Sequence, residues 1–308
     1  MTDARVTWDE ARLQKLRDLA AKGLSAADLA EQLGSSRGAI YTIANKNGIP
    51  LRKLRERGKR KGSASDPSGQ RRFLGIVDGD GPRIDLKPWH PALRNGSTIF
   101  PGMLIPASQA PRLLKSGKNN RKIGYIATKG RWKGMPLYTL TLEERATCPS
   151  TCREWATCYG NNLHMQPRIH PDEYFLLRLR GELAHLSAIH PEGFVIRLHV
   201  LGDFYSTEYV AFWREALAEF QALHIFGFTA RQPADPIGHA VLLLMQDFED
   251  QVLIRVSAGG KPELCSEVVD DESEATGIVC PAEKDENKCC ATCGLCWTST
   301  RTITFLRH

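Results

Sequence analysis

Apolar residues recur at helical spacing from the start of the chain, where Leu13, Leu16, Leu19 and Ala20 form one stripe that stops at Gly23. Thr7-Trp-Asp-Glu10 reads as a capping box at the head of this helix, with a hydroxyl for a free amide and a carboxylate reaching back. Ser25-Ala-Ala-Asp28 opens a second, short helix ending near Leu33-Gly34, and Ser35 or Ser36 caps a third that runs through Ile40 and Ile43 to about Asn47. Residues 73 to about 120 are rich in Gly and Pro with little period, and read as an irregular lead-in with short strands. From Gly134 the pattern becomes regular. It predicts a strand over Leu137 to Leu142, a helix over Asp172 to Ser187 and a strand over Val195 to Phe204. A helix from Thr207, a strand from Leu223, a helix around Ala240 to Phe248 and a strand from Gln251 follow. Strands alternating with amphipathic helices imply βαβ units, hence an α/β fold with a parallel sheet or a partial (β/α) barrel.

The three N-terminal helices fit within forty-odd residues. A small residue at Ala30, a Gly34 able to turn left-handed, and Ile40 and Ile43 on the buried side of the last helix meet the packing needs of a helix-turn-helix. Trp8, Leu16, Leu19, Gly23, Leu24, Ser25, Ala26, Ala30, Leu33 and Gly34 together resemble the N-terminal domain of GcrA-type regulators, with Leu29 where that pattern has Ile. On this reading Ser36, Arg37 and Tyr41 meet base edges of double-stranded DNA, and Asn45 and Lys46 lie nearer the phosphates. The alternative is a three-helix module that binds protein instead of DNA.

Charge favours the first option. Arg52 to Lys61 (RKLRERGKRK) holds seven basic residues and one acidic one, so the whole +6 formal charge of the chain is concentrated there. Arg52, Lys53 and Arg55 in this arm are placed to contact DNA phosphates or the minor groove, with a steep salt dependence. GSASDPSGQ, Gly62 to Gln70, is a flexible linker by composition. The expected organisation is a DNA-binding head over 1–51, a basic linker over 52–72 and an α/β domain over 73–308.

The chain carries nine cysteines. It shows no export signal and no run of roughly 18 apolar residues, so a soluble, cytoplasmic protein with no membrane contact is expected. Reducing conditions keep thiols free and an odd number suits a disulfide framework poorly, which leaves metal or cluster ligation. Cys148-x3-Cys152-x5-Cys158 lies in the loop after a strand, where three thiolates can hold one face of an iron–sulfur cube. Cys280 to Trp297 (CPAEKDENKCCATCGLCW) holds five more. Zinc usually takes two well-separated Cys-x2-Cys knuckles, whereas Cys290-x2-Cys293-x2-Cys296 winds three thiolates in one coil, as ferredoxin runs do. Cys280 or Cys289 is the candidate fourth ligand, and a single cluster shared between the two groups is the other arrangement. Lone Cys265 reads as an ordinary thiol.

The loop position of Cys148 to Cys158, the pair Cys158-Tyr159, LHVLGDFYS (Leu198 to Ser206) and the terminal CGLCW (Cys293 to Trp297) resemble radical S-adenosylmethionine proteins and the related phage family labelled gene product 88. The resemblance covers roughly residues 137 to 308. It implies a radical-enzyme-like partial barrel, one or two [4Fe-4S] clusters and a site for S-adenosylmethionine. Two departures bear on the last: the usual spacing is Cys-x3-Cys-x2-Cys, and Gly202-Asp203 stands where a Gly-Gly-Glu-like motif is usual.

In α/β folds, functional residues gather at the carboxyl ends of the strands. Counting by two, Arg197, His199 and Asp203 share a face, with Arg231 and Arg255 on the neighbouring strands, and these five are expected to line one cavity. Paired charges that merely hold the barrel together are the alternative. The leading expectation is an iron–sulfur DNA-binding protein acting in transcription regulation, responsive to redox or iron state. An enzyme of radical type acting on nucleic acid, and a zinc-stapled DNA-binding scaffold, are the competing readings. A homodimer is compatible with the sequence and not required by it.

Overall fold

The computed structural model describes residues 8–51, 84–257, 259, 261–284 and 286–307. Thr7, the arm with Arg52, Lys53 and Arg55, and the linker over 62–70 lie outside the described residues. The chain divides into two compact units, Met1–Ala64 and Ser65–His308.

The first unit has three helices, α1 (Glu10–Ala21), α2 (Ala26–Gln32) and α3 (Arg37–Lys46). The cap of α1 falls at Asp9, not at Thr7: its Oδ1 accepts the Arg12 amide at 2.9 Å. At α2 the expected box is present, with the Asp28 amide donating to Ser25 Oγ at 3.3 Å and the Ser25 amide to Asp28 Oδ2 at 3.1 Å. Ser36 caps α3 by accepting from the Ala39 amide at 3.1 Å. Between α2 and α3 the chain turns at Gly34, whose φ of +51° suits glycine. Leu16, Ala20, Leu29, Ala30, Leu33, Ile40 and Ala44 close a small core. The Arg12 guanidinium crosses it to donate to the Leu33 carbonyl.

The second unit runs α4 (Pro91–Asn95), β1 (Leu104–Pro106), β2 (Lys115–Ser116), β3 (Leu137–Thr139), β4 (Arg168–His170), α5 (Phe175–Ile189), β5 (Phe194–Leu198), α6 (Thr207–Glu219), β6 (Leu223–Thr229), α7 (Pro236–Asp247) and β7 (Val252–Ser257). It continues through β8 (Cys265–Val269), β9 (Ile278–Val279), α8 (Cys290–Cys293), α9 (Leu295–Thr298) and β10 (Ile303–Leu306). Among the described residues the main sheet has eight strands in the order β2-β3-β5-β6-β7-β8-β10-β9, parallel except for β2 against β3, while β1 and β4 pair separately. The architecture is therefore mixed α/β with a mostly parallel sheet.

Alternation along the central strands decides what each face buries. Phe194, Ile196 and Leu198 of β5, Leu223 and Ile225 of β6, and Val252 and Ile254 of β7 point to one side, against α5, α6 and α7. Trp213 on α6 is fully buried there, a placement that contributes about 1.5–3 kcal/mol for a large apolar side chain. Val195 and Phe226 point to the other side and join Leu137, Trp132, Ala291 and Trp297 in a second core. The cysteine-rich tail thus covers a sheet face that no long helix covers among the described residues.

Two strand expectations change. β3 ends at Thr139 and β5 at Leu198, because the chain leaves the sheet at their carboxyl ends to build the loops described below. The segments flanking the cysteine-rich stretch, for which no strand was expected, add β8, β9 and β10 to the sheet.

Candidate metal centre

At the carboxyl end of β3 the chain enters the loop that carries Cys148, Cys152 and Cys158. A buried polar network shapes it. Glu144 and Arg168 form an ion pair at 2.7 Å with side chains 1% and 0% exposed. Arg168 also donates to the carbonyls of Leu163, Gln166 and Gly160. Arg145, in the left-handed region at φ +64°, donates to Asn161 Oδ1 at 2.6 Å and to the Trp155 carbonyl at 3.0 Å. Thr98 Oγ1 donates to Glu144 Oε1 at 2.8 Å. An ion pair this deep can bring a loop together because each nitrogen of Arg168 and each oxygen of Glu144 has a partner, although Arg145 Nη1 beside them is buried without one.

The three thiols lie within electrostatic reach of one another, and Cys148 and Cys152 also of Asp203. Burial raises all three, Cys148 well above the ordinary range and Cys152 to about 11, and the Asp203 carboxylate adds to the rise at both. The backbone amide of Gly160 approaches Cys158 Sγ at 3.4 Å. Three protonated, clustered thiols are a set that a metal or cluster would deprotonate on binding.

The second group sorts its five cysteines. Cys280, Cys290, Cys293 and Cys296, with Pro281, Ala282, Leu295, Trp297 and Ile303, line one small cavity. Two backbone anchors position them: the Cys280 amide donates to the Thr304 carbonyl at 2.8 Å, and the Cys290 amide to the Lys122 carbonyl at 2.8 Å. Gly294, at φ +77°, turns the chain between α8 and α9 so that Cys293 and Cys296 face the same space. Cys289 does not line it. Its side chain is buried in the second core, so close to Gly124 that a Cβ there would stand 2.5 Å from the sulfur. Burial holds Cys290 up near 11 and Cys296 higher still. The donor set, four thiols and no carboxylate in the lining, fits zinc or an iron–sulfur centre. Among the described residues, no three His, Cys, Asp or Glu side chains are gathered as a single-ion site; the thiols stand around a cavity.

The five residues expected to line one cavity do not do so. Arg255 is a fastener for the tail: Nε donates to the Cys296 carbonyl at 3.1 Å and Nη2 to that of Ser299 at 2.7 Å, while Nη1 reaches the carbonyls of Glu263, Cys265 and Arg301. His199 is buried on the helix side, its Nε2 at 2.9 Å from the Tyr209 hydroxyl, and burial lowers it to about 3. Arg197 lies on the opposite face, over Phe228 and Phe226. The count by two fails because β5 ends at Leu198, between them.

Asp203 and Arg231 do sit together, as latches of the three-thiol loop. Asp203 accepts from Thr229 Oγ1 at 2.7 Å and from the amides of Phe204 and Ala230, and its own amide donates to Thr147 Oγ1 at 3.1 Å. Burial raises it to about 6. Arg231 donates to the carbonyls of Phe204 and Thr147, the latter next to Cys148. Sequence reading missed Glu144, Arg145 and Arg168. The signal was present as two acids and an arginine, Glu143 to Arg145, directly after Leu142 and three to five residues before the first cysteine of the loop.

In the first unit, Ser36, Arg37, Tyr41, Asn45 and Lys46 are all exposed on α3, with Tyr41 49% exposed although aromatic. No family model, curated protein or solved structure matches the chain. Among the described residues, no helix is long and apolar enough to cross a membrane.

Proposed function

We propose that this chain is an iron–sulfur DNA-binding protein, a transcription regulator in which α2 and α3 act as a helix-turn-helix and the α/β unit, read as a partial barrel of radical-enzyme type, responds to redox or iron state. The observation that carries the reading is the sorting of the thiols into two sets, three at the carboxyl edge of the sheet and four around one cavity. Cys148, Cys152 and Cys158 would hold one [4Fe-4S] cluster and Cys280, Cys290, Cys293 and Cys296 a second. Both sets are tied to loops and short strands, so loss of a cluster would free the segments that bind it. The exposed polar face of α3, with Arg37 and Tyr41 at its start, supports double-stranded DNA as the partner.

A second reading rests on one observation. The three-thiol set leaves one position of a cube without a cysteine, at the strand ends where α/β enzymes work. That favours a radical enzyme using S-adenosylmethionine, with nucleic acid delivered by the head.

Anaerobic iron and sulfide content with an electron paramagnetic resonance spectrum tests the cluster, and zinc in place of iron returns the protein to a zinc-stapled scaffold. Fluorescence anisotropy tests the head: Arg37→Ala should cost about 1–3 kcal/mol on a specific site, and removing Arg52 to Lys61 should weaken all DNA binding and flatten its salt slope. Unchanged affinity in both variants refutes DNA binding. Release of 5'-deoxyadenosine after dithionite reduction would replace the regulator by the enzyme.

A further inference from the structure

The four-thiol cavity lies in a cationic shell. Lys122, Arg197 and Arg255 each stand within electrostatic reach of its cysteines: Arg197 and Lys122 at Cys290, Arg197 and Arg255 at Cys296, and Lys122 at Cys280. Glu283 is the acid in the same group, paired to Lys122 at 2.8 Å. Three cations against one anion leave a surplus of two positive charges round the cavity, where burial pushes the thiols of Cys280, Cys290 and Cys296 toward the neutral form.

The surplus is not evenly partnered. Arg255 spends its guanidinium on the five carbonyls already described, and Lys122 on Glu283. Arg197 is different. It rises from β5 on the cysteine face of the sheet, flanked by the rings of Phe228 at 4.9 Å and Phe226 at 5.8 Å. Its Nε is buried with no hydrogen-bond partner, and no ion pair holds it among the described residues. A half-buried guanidinium whose buried Nε has no acceptor is a costly group to keep on a sheet face where an apolar side chain would pack as well. Four thiolates around a divalent metal ion, or around a [4Fe-4S] core in its 2+ state, carry a net charge of about −2, which matches the surplus.

We infer that Arg197 is the dedicated counter-ion of a dianionic tetrathiolate centre held by Cys280, Cys290, Cys293 and Cys296. The inference deepens the metal-centre reading and rests on it. Arg197 is a positioning and tuning residue: its charge favours the thiolates and the bound centre, and its free N–H supplies a donor toward sulfur. It does not line a substrate cavity.

The test uses the full-length protein with Arg197→Met, which keeps the contacts with Phe226 and Phe228 and drops the charge, and Arg197→Lys, which keeps the charge. If wild-type protein made anaerobically holds neither iron nor zinc, the metal-centre reading falls and takes the inference with it. If it holds iron, a dithionite titration followed by electron paramagnetic resonance should place the midpoint potential of one centre lower in Arg197→Met and near wild type in Arg197→Lys. The centre at Cys148, Cys152 and Cys158 should stay unmoved in both, since cluster potential follows local charge. If it holds zinc, a chelator should strip Arg197→Met about tenfold or more faster than wild type, the effect expected of a group just outside the ligands. Thermal melting separates this role from packing. In metal-stripped protein Arg197→Met should be at least as stable as wild type, whereas in loaded protein it should be less stable. Loaded Arg197→Met with unshifted potential or release rate, or a variant that unfolds when stripped, overturns the counter-ion role while leaving the metal content intact.

Discussion

Replacing Cys280 and Cys289 by serine, one at a time, separates a proposed ligand from a core thiol that stands beside the other proposed ligands in sequence. Cys280 is nine residues from Cys289, yet only Cys280 lines the cavity with Cys290, Cys293 and Cys296. Two [4Fe-4S] clusters would give about eight irons per chain, so Cys280→Ser should leave about four, with the matching half of the acid-labile sulfide. Cys289→Ser should keep about eight. Its cost is in stability: a hydroxyl enters the core formed by Ile123, Trp132, Ala291 and Trp297, for about 1–3 kcal/mol if it goes unpaired. The figure falls at the low end, because Thr292 Oγ1 lies 3.5 Å from Cys289 Sγ and can pair with the serine. The assay is anaerobic purification, iron and sulfide analysis and a urea melt on each variant. Equal iron loss from both variants, or loss from Cys289→Ser alone, would refute the assignment of Cys280 as the fourth ligand.

Two further outcomes follow from the polar interior. His199, held neutral by burial with a pKa near 3 against 6.5 in an unfolded chain, contributes stability that is complete above about pH 6.5 and is lost as pH falls toward 3. Between about pH 7 and about pH 5 the loss is about 2 kcal/mol, so the fall in urea-unfolding free energy over that range should be smaller by that amount in His199→Leu, and equal slopes would sink the argument. Breaking the buried pair by Glu144→Gln or Arg168→Met should destabilise by about 3–5 kcal/mol, because the remaining charge has no water to turn to. If both thiol sets hold clusters as proposed, the three-thiol site should then lose its iron before the four-thiol site does, measured as iron retained per chain after mild heating.

The centre of the fold was readable because its signals are local. The caps at Ser25 and Ser36, the helix from Thr207 and the strands from Leu223 and Gln251 each depend on residues a few positions apart, and each lies where the spacing of apolar side chains puts it. The candidate lane failed for a local reason too: a count by two holds only inside a strand, and β5 stops one residue before His199.

The amino-acid sequence by itself determined the α/β alternation, the three-helix head and the supply of thiols, since periodicity and residue chemistry are properties of neighbouring positions. Tertiary structure alone decided how those thiols divide. Cys280 reaches Cys296 through the pairing of β9 with β10, Cys289 turns into a core against Gly124, and Glu144 meets Arg168 across 24 positions of chain. Such contacts are chosen by packing and by the cost of burying an unmatched charge, which are balanced over the whole unit and leave no periodic trace along the chain.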